Sequence, residues 1–212
     1  MITFDIETLP TNDEKLIDQL CADLRPPANY KNDDAINKWM AEAKLKAVND
    51  TGLNGAFGSV CCICATDGFT EFVSSTRNGL LEADMLRNFF DFCAEESVFC
   101  GHNIAGFDLQ FIKHRAIINN VMPPKKMIAA MNSKPWDECI KDTMLMWSKT
   151  KMISLDTLAW ILGIQNNNTI DGSNVAELWG RDPHIVIEKC RNDVSMTMAA
   201  YHRLTFNSLS FK

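Results

Sequence analysis

The sequence predicts an α/β fold: a mixed sheet with helices on both faces and a helical insertion after the first strand. Three observations lead there. Short β-like runs lie at 2–7, 58–66, 69–74 and 98–101, and amphipathic helical stretches separate and follow them. Strands and helices alternate through the second half of the chain, which suits a sheet covered on both sides. At 212 residues, 46% of them apolar and 23% charged, the chain is long enough for one elaborated domain over 1–212 and ordinary in composition for a globular protein.

Each element has a local reason. Ile2 to Glu7 alternates strictly, with Ile2, Phe4 and Ile6 on one face and Thr3, Asp5 and Glu7 on the other. It reads as a strand with one face on the core and an acidic face gathering at its C-terminal end. Residues 13–54 form a polar, helix-leaning excursion: Asp13 to Leu24, a Pro26-Pro27 break, then Asp33 to Val48 with Ile36, Trp39, Met40 and Ala43 at helical spacing. It has too few apolar residues for its own core and is expected to be an insertion. Gly58 to Thr66 resumes the sheet, Asp67-Gly68 turns it, and Phe69 to Ser74 returns.

Leu80 to Glu96 is amphipathic, with Leu81, Met85, Phe89 and Phe92 near one stripe. Val98 to Gly101 is a short strand, Gly106 to Asn119 a helix, and Pro123-Pro124-Lys125-Lys126 a basic loop. Cys139 to Met146 reads as another strand, followed by short helices at Ser154 to Leu162 and Asn174 to Trp179 and a last one from Pro183 to Leu204. Trp160 and Trp179 are expected in the core.

Composition narrows the function. The formal charge is −6, from 21 Lys+Arg against 27 Asp+Glu, which argues against a simple basic nucleic-acid binder. It does not exclude a metal-dependent nuclease, since two bound divalent cations offset most of that surplus. No apolar run is long enough to span a bilayer, and the opening Met-Ile-Thr-Phe-Asp-Ile-Glu lacks the basic start and hydrocarbon of a signal peptide. A cytoplasmic location with no membrane contact is expected. The eight cysteines fit reduced, buried thiols. Cys61 and Cys64 form a C-x-x-C, but in a regular strand they point to opposite faces and share an ion poorly.

Three acidic elements stand out. Asp5-Ile6-Glu7 puts two carboxylates on one strand face, within reach of one ion or two adjacent ions. Cys100-Gly101-His102-Asn103-Ile104-Ala105-Gly106-Phe107-Asp108 runs from a strand end into a helix start, with Asp108 in the first turn, where an acid also complements the helix dipole. His102 reads as hydrogen-bonded structure. In the last helix Asp193 lies one turn after Lys189, a spacing that commonly marks a solvated surface pair.

Taken together, Asp5-Ile6-Glu7, Asn103-x-x-x-Phe107-Asp108 and Asp193-Val194 resemble the three motifs of the DEDD (DnaQ-like) 3′–5′ exonuclease superfamily. The branch related to proofreading domains of family B DNA polymerases is the nearer likeness. It rests on Lys141-Asp142-Thr143-Met144, Ser154-Leu155-Asp156-Thr157-Leu158-Ala159, Leu162-Gly163-Ile164 and the run from Asp171-Gly172 to Arg203. The resemblance implies a ribonuclease-H-like fold and Asp5, Glu7, Asp108 and Asp193 as ligands of two Mg²⁺ or Mn²⁺ ions. It implies hydrolysis of phosphodiester bonds at single-stranded DNA or RNA 3′ ends, DNA favoured.

By the same resemblance Thr8, Leu9, Asn103 and Phe107 lie against the terminal nucleotide. Phe107 is either a base-stacking or a core residue. Lys113, His114, Arg115, Lys125, Lys126, Lys149 and Lys151 are candidates to steer phosphates or simply solvated side chains. Four carboxylates this close repel one another, so the metal-free site is expected to be strained or partly protonated.

One position departs from the pattern. Members carry a Tyr four residues before the last Asp or a His five before it; here those residues are Lys189 and Glu188. A lysine among carboxylates is normally protonated and is no base unless desolvated; as a cation it can instead hydrogen-bond the scissile phosphate. Three readings stay open: an active enzyme in which Lys189 has an altered catalytic role, a slow enzyme, or a weakened module that binds nucleic-acid ends in replication or repair.

Overall fold

The computed structural model describes residues 1–168, 170 and 172–207. Asp171, which opens the last run quoted for the resemblance, lies outside the described residues.

The organising element is β1 (Ile2–Leu9). Two helices follow it, α1 (Glu14–Cys21), capped by Asp13, and α2 (Asp33–Thr51), capped by Asn32. Thr8 Oγ1 donates to Gly52 O (2.6 Å) and Thr11 N–H to Thr51 Oγ1 (2.8 Å), tying the end of this excursion to the end of β1. The chain re-enters the sheet as β2 (Ser59–Thr66) and turns back as β3 (Glu71–Ser75). The return strand starts later than Phe69, whose ring is 97% exposed, because Asp67 accepts the Phe69 and Thr70 N–H groups and extends the turn.

Next come α3 (Glu82–Phe92), β4 (Phe99–Gly101), α4 (Asp108–Ile118) and α5 (Lys125–Met131). The Pro123-Pro124-Lys125-Lys126 run is not a loop throughout: proline is compatible with a helix entry, and Lys125 opens a helix that buries Met127, Ala130 and Met131. The expected strand over 139–146 shrinks to β5 (Ile140–Asp142), because Asp142 accepts the Met144 and Leu145 N–H groups and caps α6 (Thr143–Trp147). After α7 (Leu155–Leu162) and α8 (Val175–Arg181) comes α9 (Pro183–Leu204), with the expected bounds and capped by Asp182.

Among the described residues the sheet has five strands in the order β3-β2-β1-β4-β5. β2 pairs antiparallel with both β1 and β3, and the β1–β4 and β4–β5 pairs are parallel. With β1 central, both its faces are covered. Ile2, Phe4 and Ile6 join Met85, Leu86, Phe89, Phe99 and Ile112 in one core beneath α3 and α4. On the other face Val175, Val186, Ile187, Cys190 and Val194 of α8 and α9 pack on β2. The acidic side of β1 thus faces α9 rather than open water.

Three further expectations are corrected. The β1–β2 register slips between Glu7 and Thr8, leaving Cys61 as an extra residue, and this bulge puts Cys61, Cys62 and Cys64 all in the core under α9. The opposite-face argument for Cys61 and Cys64 therefore fails. Leu81 is exposed, since the chain is not yet helical there, and Trp160 is 80% exposed on the outer side of α7. Trp179 does pack against the second core.

Candidate active site

The site forms where β1 outruns its parallel neighbour. β4 pairs only with Ile2 and Thr3, so beyond that point β1 has no strand on that side. Ile2 N–H reaches Val98 O (3.0 Å) on the β4 side, and two pleats on the Ile6 N–H has the same direction. Asp108, in the first turn of α4, takes it: Asp108 Oδ1 accepts from Ile6 N–H at 3.3 Å. A buried acid is thereby anchored beside Asp5 and Glu7.

α9 supplies the fourth carboxylate. Cys190 Sγ donates to Asp5 O (3.3 Å) and Cys64 Sγ to Ile187 O (3.8 Å), holding the helix over β1 and β2. Asp193 then faces the strand, and ligand atoms of Asp5, Glu7 and Asp193 all lie within 4.8 Å of one another. Glu7, Asp108 and Asp193 are buried and Asp5 is partly open.

Lys189 sits inside this group. Its Nζ donates to Glu7 Oε1 (2.7 Å) and to Asp193 Oδ2 (2.6 Å), with only 13% of the side chain exposed. The surface pair suggested by the spacing is in fact a buried three-residue bridge from helix to strand.

The charges behave as crowding predicts. Removal from water, joined by Asp193, Asp108 and Glu7, pushes the Asp5 carboxyl well above the usual range. Burial also raises Glu7, with Lys189 opposing it. Burial raises Asp108 to about 8, against the Ile6 hydrogen bond that favours its charged form. For Lys189, burial favours the neutral amine, but Glu7, Asp5 and Asp193 outweigh it and hold the ammonium charged. The site is short of positive charge. Its donors are hard carboxylate oxygens suited to Mg²⁺ or Mn²⁺, and a cation already lies among them. Asp5, Glu7 and Asp193, with Asp108 alongside, fit divalent ions.

Two residues with no expected role shape the site. Asp142 Oδ1 accepts from Asn103 N–H (3.0 Å) and its Oδ2 from Ala105 N–H (3.3 Å), fixing the loop that leads to Asp108. Asn103 adopts φ 61°, and a Cβ on Gly106 would lie 2.5 Å from Asn103 Oδ1, so a side chain there would displace the Asn103 amide. Asn168 Nδ2 donates to Asp193 Oδ1 (2.6 Å). Its only trace in the sequence is the Asn166-Asn167-Asn168 run, which reads as turn composition.

The other expected residues are placed as follows. Thr8 and Leu9 end the site strand; the Thr8 hydroxyl is engaged with Gly52 O and Leu9 packs on the second core. Phe107 is partly buried, its ring 5.5 Å from that of Phe111. His102 is structural, as expected, with Nε2 donating to Ile153 O (2.8 Å) and Nδ1 left for the Thr143 hydroxyl (2.9 Å); burial lowers its pKa. Arg115 is no phosphate guide: its guanidinium grips Glu82 in a buried pair. Lys113 and Lys126 are turned to Asn132 and Glu95 O.

Comparison with known proteins agrees with this geometry. A search of curated proteins gave no match. Among solved structures the chain is similar to the family B DNA polymerase from the hyperthermophilic archaeon Pyrobaculum calidifontis. The TM-score is 0.62 at 17% identity, over 96% of this chain and 24% of the polymerase. The chain thus has the ribonuclease-H-like fold of a family B polymerase exonuclease and spans about a quarter of that protein's length. The family described as "Predicted 3'-5' exonuclease related to the exonuclease domain of PolB" matches residues 56–211, which take in Asp108, Lys189 and Asp193, while the strand with Asp5 and Glu7 precedes the match. The chain belongs to this family of predicted PolB-related 3′–5′ exonucleases.

Proposed function

We propose that the protein is a divalent-metal-dependent 3′–5′ exonuclease that hydrolyses phosphodiester bonds at single-stranded nucleic-acid 3′ ends, DNA favoured over RNA. The observation that carries this reading is the meeting of Asp5, Glu7 and Asp193, with Asp108 beside them, in a chain of a predicted exonuclease family. A divalent ion held by Asp5, Glu7, Asp108 and Asp193 would supply Lewis acidity toward the attacking water and the leaving 3′ oxygen; the likeness to two-metal nucleases implies two such ions.

The chain's own residues do the holding. Asp5, Glu7, Asp108 and Asp193 present the oxygens. The Ile6 N–H fixes one oxygen of Asp108 and Asn168 fixes one of Asp193, so the ligands are oriented before an ion or substrate arrives. Asp142 sets the Asn103–Phe107 loop, which with Thr8 and Leu9 offers the wall for the terminal nucleotide. Lys189 donates hydrogen bonds and carries charge; held as an ammonium, it does not accept a proton from water.

A 5′-labelled single-stranded DNA incubated with Mg²⁺ or Mn²⁺ should shorten one nucleotide at a time from its 3′ end, and EDTA should stop it. Asp5→Asn should lower the rate by at least about 10³-fold, comparable to losing a principal source of transition-state electrostatics. An RNA oligonucleotide in parallel tests the DNA preference. Retained binding of 3′ ends with no metal-dependent shortening would select the second reading, an end-binding module, which the neutralising Lys189 favours.

A further inference from the structure

The site described above already contains a cation of its own. Lys189 Nζ bridges Glu7 Oε1 (2.7 Å) and Asp193 Oδ2 (2.6 Å), two members of the carboxylate group whose oxygens lie within 4.8 Å of one another. The other Asp193 oxygen is engaged by Asn168 at 2.6 Å, so both oxygens of that carboxylate have donors. We propose that the Lys189 ammonium is a tethered plug in the divalent-ion position between Asp5, Glu7 and Asp193, so that an ion enters that position only by expelling the lysine.

The proposal rests on the exonuclease reading, because it concerns the same carboxylates, and it follows from charge and space. An ammonium and a divalent ion cannot share these oxygens: the ion needs them at about 2.0–2.2 Å, which brings two positive charges within a few ångströms in a poorly hydrated site. The lysine has a length advantage as well as proximity. It projects from the same helix as Asp193, one turn earlier, so its four-carbon stem reaches Glu7 without any movement of α9. It also has somewhere to go. Lys189 lines a cavity of about 560 Å³ at the side of α9, whose wall also carries Glu71 and Glu188, both paired with Arg191. Tyrosine or histidine at such a position brings no permanent charge; lysine does, and ties ion entry to side-chain release.

Mn²⁺ titration monitored by calorimetry and electron paramagnetic resonance tests this, comparing the wild type with Lys189→Met and Lys189→Arg. Removing the charge should tighten the strongest Mn²⁺ site at least tenfold or add one bound ion, whereas arginine should do neither. Equal stoichiometry and affinity in wild type and Lys189→Met overturns the plug and leaves the exonuclease reading standing. No Mn²⁺ binding to either overturns both.

Amine-reactive footprinting of the unaltered chain removes dependence on a variant that folds poorly. Saturating Mn²⁺ should raise labelling of Lys189 several-fold while Lys38 and Lys44 on the remote α2 stay unchanged. Labelling of Lys189 that stays constant or falls as Mn²⁺ binds contradicts the proposal.

Discussion

At the residue scale, burial and like charge set the chemistry. Asp108 is 3% exposed, and its carboxyl is pushed up to about 8. An acid whose folded pKa lies above its unfolded value binds more protons when folded, so its contribution is fully present below about 3.9 and is lost as pH rises through about 8. Asn at this position keeps an oxygen for the Ile6 N–H and removes the charge. In EDTA at pH 8, Asp108→Asn should therefore be more stable than the wild type by about 2 kcal/mol, or roughly 4–8 °C in Tm for a chain of this size, while losing nuclease activity. Near pH 4 the two melting curves should nearly coincide. A variant that melts below the wild type at pH 8 rules out the strained-carboxylate account. Asp5 and Glu7 were legible at this scale because period-two alternation alone puts them on one face. The burial of Lys189 was not: an i, i+4 Lys–Asp pair has the same spacing on a wet surface as beneath a strand, and only the tertiary contact with Glu7 separates the cases.

At the element scale, the site depends on how α3, α4 and β2 are locked behind it. Glu82 accepts from Val60 N–H (2.8 Å), from Asn119 Nδ2 (2.9 Å) and from Arg115 through Nε and Nη2 (2.9 and 2.7 Å), with side chains 12–13% exposed. One carboxylate thus joins a strand and two helices, and α4 carries Asp108. Removing one partner of a buried pair strands the other charge, so Glu82→Ala should cost about 3–5 kcal/mol in urea unfolding and weaken activity through Asp108. A loss below about 1 kcal/mol would show the pair to be a surface feature. Sequence reasoning located α9 from Pro183 to Leu204, since a helix-opening proline is a local signal. It missed α5, where Pro-Pro-Lys-Lys has loop composition, and the Cys61 bulge, which depends on β2 matching β1 across the ladder. It also placed Trp160 inside, because hydrophobicity is not burial when no neighbour covers that helix face.

At the scale of the whole molecule, the sheet brings together groups more than 180 residues apart. β1 carries two acids, the parallel pairing with β4 ends early enough to admit Asp108, and α9 closes the far side with Asp193 and Lys189. The order of strands and helices was readable because α/β alternation is a repeated signal; the convergence was implied only by likeness to a family, since spacing along the chain carries no distances. Among the described residues no helix is long and apolar enough to cross a membrane. The formal charge is −6, and four of the acids behind it meet around this site. The most direct measurement is anomalous X-ray diffraction from crystals soaked in Mn²⁺. The account predicts density for at least one ion within coordinating distance of Asp5 and a second carboxylate among Glu7, Asp108 and Asp193. Manganese bound elsewhere, with these four side chains bare at saturating metal, would contradict it.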